Sequence, residues 1–230
     1  SWDHWAYTAI KRMYTRNLMV GVDDKTFAPD LTLTRAMLAV ILYARAGEPA
    51  VTAENKFSDV PTGQWYTNAV IWAAENGIVA GCGDGTFRPD AAVTRAQAAV
   101  MLCGFAAFSG DDVTARADLS AFGDAADVPS WAQAELQWTV ARQLIVGRDG
   151  KLLAPNDAVT RAEMAKMICV VLNGGKDPSL GNVTKYSYTD TVGHWAAPYI
   201  EYCAIRGIVA GKGDGTFGPC LLYTSDAADE

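Results

Sequence analysis

Apolar residues recur at helical spacing in short segments of this chain, and loops rich in Gly, Asp and Pro separate the segments. After Trp65 the apolar positions lie three or four residues apart, as on one face of a helix: Ala69, Val70, Ala73 and Ala74. A turn-rich loop follows, and a second apolar run begins after Thr94. The pattern predicts a mainly α-helical fold of helix-loop-helix units.

The unit repeats along the chain. Four segments align without gaps on a glycine, namely Gly21, Gly81, Gly147 and Gly211. A Trp stands sixteen residues before each glycine, and a Pro stands eight residues after it. The first three copies continue to Thr-Arg-Ala, while the distances between copies vary. Fixed internal spacing with variable connections is typical of structural units joined by surface loops.

The repeats set the predicted domain organisation. We assign repeat 1 to residues 1–46, repeat 2 to 57–103, repeat 3 to 122–172, a linker to 173–187 and a truncated fourth repeat to 188–219. Residues 220–230, CLLYTSDAADE, resemble an in-frame translation of a transposase-based sequencing adapter, so we expect them to lie outside the fold. A two-helix unit cannot cover both of its helix faces alone, so several units must pack together.

The second helix of each repeat has an N-terminal signal. Thr94 with Gln97 and Thr160 with Glu163 match the capping-box pattern. Thr34 has Met37 at the reciprocal position, so we predict a weaker cap there.

Composition excludes several classes of function. The net charge is -7, and no Lys/Arg cluster of the kind that neutralises phosphates is present, which argues against nucleic-acid binding. No apolar stretch reaches the roughly 18 residues of a membrane span. There are two His and no C-x-x-C pair, so we expect no metal site, no cofactor and no catalytic constellation. Three cysteines lie on apolar stretches and are expected to be buried (Cys103, Cys169 and Cys203), whereas Cys82 lies in a loop.

The Trp before the first helix, the loop GCGDGTFRP at 81–89 and the Thr-Arg-Ala-Gln or Thr-Arg-Ala-Glu start of the second helix resemble the S-layer homology (SLH) family over nearly all of residues 1–219. The resemblance implies SLH repeats around a pseudo-threefold axis, with grooves that bind an anionic secondary cell-wall polysaccharide, often one bearing pyruvate ketals. It also implies an exported protein held non-covalently at a Gram-positive cell wall, and a module that is not itself an enzyme. Two alternatives remain: a protein-interaction or self-assembly module with S-layer proteins as partners, and the anchoring part of a larger exported enzyme.

In that family the Arg of Thr-Arg-Ala belongs to the binding surface, which nominates Arg35, Arg95 and Arg161. Each lies in the first turn of a helix, where unpaired N–H groups favour an anion and a guanidinium adds two parallel donors for a carboxylate. The alternative is a structural ion pair with an Asp of a neighbouring repeat. The predicted polysaccharide site also includes Gln97, Glu163, Asp84, Trp72 and Trp138.

Two Trp positions recur and receive different interpretations. Those that begin the first helices are expected to pack in the core, with stacking on sugars as the alternative: Trp5, Trp65, Trp131 and Trp195. Trp72 and Trp138 stand seven residues later, where the other copies have Arg12 and Tyr202, so this variable position is predicted to line a groove.

Acidic residues in the loops, such as Asp84, invite a calcium interpretation. The third copy has Gly150 at the aligned position, which favours turn formation by Asp instead.

Overall fold

The computed structural model describes residues 32–148, 150–172, 191–192 and 195–205; within the helices, the side chains of residues 161, 162, 165, 169, 172 and 205 fall outside this description. The helices in these ranges are α1 Arg35–Arg45, α2 Thr67–Glu75, α3 Arg95–Phe108, α4 Gln133–Ala141, α5 Arg161–Leu172 and α6 Ala197–Ile205. Short 3-10 helices at Ala125–Asp127 and Ser130–Ala132 precede α4. Within these ranges β-structure is limited to isolated bridges such as Thr34 with Ala92. The mainly α-helical prediction is confirmed.

The chain divides into two compact units. One comprises Thr34–Val159 and Met167–Ser179, and the other comprises Ser1–Leu33, Thr160–Lys166 and Leu180–Glu230. Inside the first of these, α1 packs against α2 and α3 packs against α4, so the second helix of one repeat covers the first helix of the next. The pseudo-threefold arrangement stays a prediction, because the first helix of repeat 1 lies outside the described residues.

Burial follows the predicted helical pattern. In α2 the side chains of Ala69, Val70 and Ala73 are at most 2% exposed. Further fully buried side chains come from both helices and loops of the Thr34–Val159 range: Leu38, Ile78, Leu102, Leu136 and Leu144. Apolar burial of this kind stabilises the fold by about 25 cal/mol per Å² removed from water. Each described repeat therefore depends on its neighbour to cover its apolar face.

The second helices begin with the predicted caps. Thr94 Oγ1 accepts from the Gln97 N–H at 3.2 Å, and the Thr94 N–H donates to Gln97 Oε1 at 3.1 Å. The same reciprocal pair joins Thr160 and Glu163, at 3.1 and 2.9 Å. Thr34 accepts from the Met37 N–H at 3.2 Å, and a thioether returns no comparable bond. Both predicted capping boxes are confirmed, and Thr34 caps its helix with the single bond from the Met37 N–H. That this cap is weaker stays a prediction.

The aligned glycine permits a close approach by an aromatic ring. A Cβ on Gly81 would lie 2.8 Å from a ring carbon of Phe57, and one on Gly147 would lie 2.7 Å from a ring carbon of Phe122. Gly147 also has a φ of 80°, which disfavours residues with a Cβ. The glycine therefore recurs because Phe57 and Phe122 occupy the space that a side chain would need.

The described part of the second unit includes α6 and the start of α5. The Lys166 ammonium lies 5.8 Å from the centre of the Tyr199 ring, and Ile200 and Cys203 are fully buried.

Like Cys203, Cys103 is buried, which raises the pKa of its thiol to about 11, and Cys82 is exposed. These three cysteines are as predicted, and the Cys169 side chain lies outside the described set. No helix within the described ranges is both long enough and apolar enough to span a bilayer.

Candidate functional site

The arginine of the first Thr-Arg-Ala motif contacts the loop of the following repeat. Arg35 Nε donates to the carbonyl of Phe87 at 2.7 Å, and one terminal nitrogen donates to the carbonyl of Ala80 at 3.1 Å. The guanidinium carbon lies 4.5 Å from the centre of the Phe87 ring. Only 6% of Arg35 is exposed, and this burial lowers the pKa of its guanidinium.

The second motif makes the same contact one repeat further along. Arg95 Nε donates to the carbonyl of Leu153 at 2.6 Å, and Arg95 is 3% exposed. The backbone repeats the pattern, because the N–H groups of Ala36 and Ala96 donate to the carbonyls of Pro89 and Pro155, at 3.0 and 2.9 Å. The starts of α1 and α3 are thus each bonded to the loop of the following repeat.

Two aspartates that the sequence analysis did not single out hold the same loops from the other side. Asp59 accepts from the N–H groups of Phe87 and Arg88, at 2.7 and 2.6 Å. Asp124 accepts from those of Leu153 and Ala154, at 2.8 and 2.7 Å. Residues 87 and 153 are therefore fixed at their N–H by an Asp of their own repeat and at their C=O by an Arg of the preceding one.

A sequence signal for these aspartates was available. Phe57-Ser58-Asp59 and Phe122-Gly123-Asp124 share an aromatic-x-Asp pattern ahead of the loop. Its distance to the aligned glycine differs by one residue between the two copies, so a gap-free alignment does not reveal it.

The hydrogen bonds described for Arg35 and Arg95 go to backbone carbonyls of the next repeat. An ion pair with an Asp of a neighbouring repeat stays a prediction. Polysaccharide binding by Arg35 and Arg95 stays a prediction, and it concerns guanidiniums that are almost covered. The Arg161 side chain lies outside the described set.

The Trp residues before the first helices are exposed. Trp65, Trp131 and Trp195 expose 50%, 58% and 56% of their surface, so the expected core packing is wrong for these three copies. The reason is the position of the helix start. In each copy the α-helix begins two residues after the Trp, so the indole precedes the apolar face that packs inward. Trp5 lies outside the described residues.

The other two Trp residues are in the core. Trp72 and Trp138 are 3% and 1% exposed, so the prediction that this position lines a groove is wrong. Trp72 packs against Tyr43, at 5.4 Å between ring centres, and Trp138 Nε1 donates to the carbonyl of Asp112 at 3.3 Å. An indole buried to this degree presents no face to a ligand, because neighbouring helices cover it.

The remaining predicted site residues have local partners. Asp84 accepts from the N–H and the hydroxyl of Thr86 and pairs with Arg88, which together lower its pKa from 3.8 to about 2. This is the predicted turn-forming role. Gln97 and Glu163 are the capping residues of their helices. Within the ranges that the structure describes, no group of three or more His, Cys, Asp or Glu residues is arranged to hold a metal ion.

Comparison with known proteins gives a consistent family assignment. The model of the S-layer homology domain matches four ranges, 1–37, 56–99, 121–165 and 187–219. The "Surface-layer 125 kDa protein" of Lysinibacillus sphaericus is 32% identical over 164 residues, which cover 70% of this chain and 13% of that protein. The "Amylopullulanase" of Thermoanaerobacterium thermosulfurigenes is 26% identical over 166 residues, or 72% of this chain and 9% of that enzyme.

A third relative is the "Cellulosome-anchoring protein" of Acetivibrio thermocellus, which is 33% identical over 104 residues, or 43% of this chain and 23% of that protein. The chain thus spans less than a quarter of the length of each of these relatives. The four matched ranges together with the repeated Trp, Gly and Thr-Arg-Ala positions show that this chain belongs to the S-layer homology domain family.

Proposed function

We propose that this chain attaches an exported bacterial protein to the cell wall by binding, without a covalent bond, an acidic secondary polysaccharide of the wall. The observation that carries the proposal is the half-exposed indole that recurs at the same position of repeats 2, 3 and 4. Family membership supports attachment at the cell surface.

The recurring indoles suit a carbohydrate ligand. Trp is highly buried on average, so a half-exposed indole at the same position of three repeats favours a site of interaction. The apolar C–H face of a sugar ring stacks on an indole, while its hydroxyls stay in water or bond to polar neighbours. Several equivalent indoles on one chain favour a repeating polymer, because linked weak contacts raise the overall affinity.

Positive charge under the loops supports an acidic ligand. Arg35 and Arg95 carry positive charge, because the arginine guanidinium stays protonated in proteins even when it is buried. Each places that charge beneath the loop of the following repeat, where an anion on the loop surface would be attracted. The buried Trp72 and Trp138 have no part in this proposal.

Relatives support the two roles that the proposal combines. One carries the name of a surface-layer protein and another that of an anchoring protein. A third is a named enzyme in which the matching segment covers 9% of the length. We therefore propose that the catalytic or structural activity of the whole protein belongs to segments other than the SLH repeats.

Co-sedimentation with purified wall sacculi tests the proposal, with sacculi prepared before and after chemical removal of the secondary polymer. Binding should be lost with the polymer. The double variant Trp65→Ala with Trp131→Ala should bind intact sacculi about tenfold more weakly. Leu152→Ala is the matched control, because Leu152 is 47% exposed and lies outside the recurring position. Equal binding to both preparations would refute the proposal.

The self-assembly alternative makes a separate prediction. It requires the sedimentation coefficient to rise with protein concentration when no glycan is present. A constant value in that experiment, together with polymer-dependent binding, supports attachment to the polysaccharide.

A further inference from the structure

A pocket of about 350 Å³ lies where three second helices end. Its lining includes Arg45, the last residue of α1, Phe105 and Phe108 from the last turn of α3, Ser109 and Asp111 just after α3, and Val171 near the end of α5. We call it the helix-end pocket. The volume is at the lower end of the range found for small-molecule sites, about 300–1,000 Å³.

One wall of the helix-end pocket is an aromatic ring held in a fixed position. Phe108 is 45% exposed, although Phe105 beside it is 5% exposed. Buried Trp72 meets the Phe108 ring edge to face, with 5.2 Å between the ring centres and an angle of 86°. Contact with Trp72 orients Phe108 while leaving much of its surface open. The pocket therefore offers a preformed apolar face.

The rim of the pocket supplies both kinds of hydrogen-bonding group. Arg45 brings guanidinium donors, Asp111 brings carboxylate acceptors, and Ser109 brings a hydroxyl that does either. Their formal charges cancel. At the C-terminal end of α3, the N–H groups of Ser109, Gly110 and Asp111 already donate to carbonyls of the last turn. A ligand would therefore bond to the side chains rather than to these backbone groups.

We infer that the helix-end pocket binds a neutral sugar residue of the wall glycan and so forms a second kind of subsite. This inference rests on the proposed function. Phe108 would take the C–H face of the ring, Asp111 would accept from its hydroxyls, and Arg45 would donate to its oxygens. Balanced charge gives no preference for an anion. The pocket is also distant from the Arg35 contact, because the 11 residues of α1 separate the two ends by about 16 Å.

Methyl NMR of the full chain locates a ligand in the pocket. The probes are the methyl glycosides of glucose, galactose and N-acetylglucosamine, with methyl glucuronide as an anionic comparison. At least one neutral probe should shift the Val171 methyl signals, while those of Val93, a core residue that does not line the pocket, stay constant. Methyl glucuronide should bind no more tightly than methyl glucoside. No shift at Val171 with any neutral probe at tens of millimolar would overturn the inference.

Two variants separate stacking and hydrogen bonding from mere folding. Phe108→Leu keeps an apolar side chain but removes the ring, and Arg45→Gln removes the charge and most of the donors. Each should weaken probe binding, followed by the Val171 shift, about fivefold or more in a chain that remains folded by circular dichroism. Phe108→Tyr keeps the ring and should retain the shift. If Phe108→Leu and Arg45→Gln both bind the probe like the unmodified chain, the inference is wrong.

The sacculi experiment keeps this inference separate from the proposed function. Binding to sacculi that depends on the polymer but not on Phe108 or Arg45, with no shift at Val171, would overturn the neutral subsite alone. Binding that is insensitive to removal of the polymer would overturn the proposed function itself.

Discussion

At the residue scale, the contact between repeats depends on the geometry of single side chains. Arg35 directs two of its donors to two different carbonyls of the next repeat, those of Phe87 and Ala80. A planar guanidinium presents its donors in a fixed fork, whereas a lysine ammonium is a single point charge. The recurrence of Thr-Arg-Ala indicated an important arginine. It did not identify the acceptors, because any residue can supply a backbone carbonyl.

We predict that Arg35→Lys lowers the free energy of unfolding by about 1–3 kcal/mol, because a buried carbonyl loses its donor. Urea unfolding followed by circular dichroism measures this. Arg88→Lys is the control, since 59% of the Arg88 side chain is exposed, and it should change stability by no more than about 0.5 kcal/mol. Equal effects of the two substitutions would contradict a structural role for Arg35.

At the element scale, the second helices begin where their caps indicate, and the first helices begin later than the Trp pattern suggested. Thr and Gln or Glu mark a helix start through local bonds, so the sequence predicted α3 and α5 well. A Trp next to an apolar segment carries no such signal. The indoles of Trp65 and Trp131 were therefore predicted to be buried, whereas they are exposed.

The caps lead to a prediction at this scale. Thr94→Ala should cost about 1 kcal/mol, since it removes the acceptor of the Gln97 N–H. Met37→Gln should add a few tenths of a kcal/mol by completing the capping box at Thr34. Urea midpoints measure both changes. Gln97→Glu, which keeps the acceptor for the Thr94 N–H, should leave the midpoint nearly unchanged. An unchanged midpoint for Thr94→Ala would exclude a stabilising cap.

At the scale of the whole molecule, carboxylates that accept hydrogen bonds in loops link stability to pH. The Thr114 and Ser120 donors lower the pKa of Asp112 and of Asp118, as Thr86 and Arg88 do for Asp84. For Asp124, burial raises the pKa, but the N–H groups of Leu153 and Ala154, its own N–H and the charge of Arg95 together outweigh burial, so the pKa is lowered. A lowered pKa in the folded state means that the charged carboxylate stabilises the fold.

These shifts predict acid sensitivity. Their contribution is complete above the ordinary Asp pKa of about 4 and is lost as the pH falls through the folded-state value, about 2 for Asp84. The urea midpoint should therefore fall steadily between about pH 4 and pH 2. Asp84→Asn should show a smaller fall over that interval, because one of the titrating groups is gone. A midpoint that rises on acidification would contradict the sign of this linkage.

The sequence by itself determined the helix-loop-helix unit, its recurrence and its helix caps. These features depend on spacing, turn chemistry and bonds between residues close together in the chain. They recur in each copy, so a pattern search detects them.

Only the tertiary structure decided which repeat supplies each partner. Arg35 reaches a carbonyl 52 positions away, Asp59 holds the N–H of that same residue, and Trp72 rather than Trp65 fills the space between helices. The helix-end pocket likewise combines residues at the ends of three helices that are far apart in the chain. Such contacts depend on how one helix lies against another. Backbone acceptors and helix packing leave no trace in residue spacing, so the sequence could not specify them.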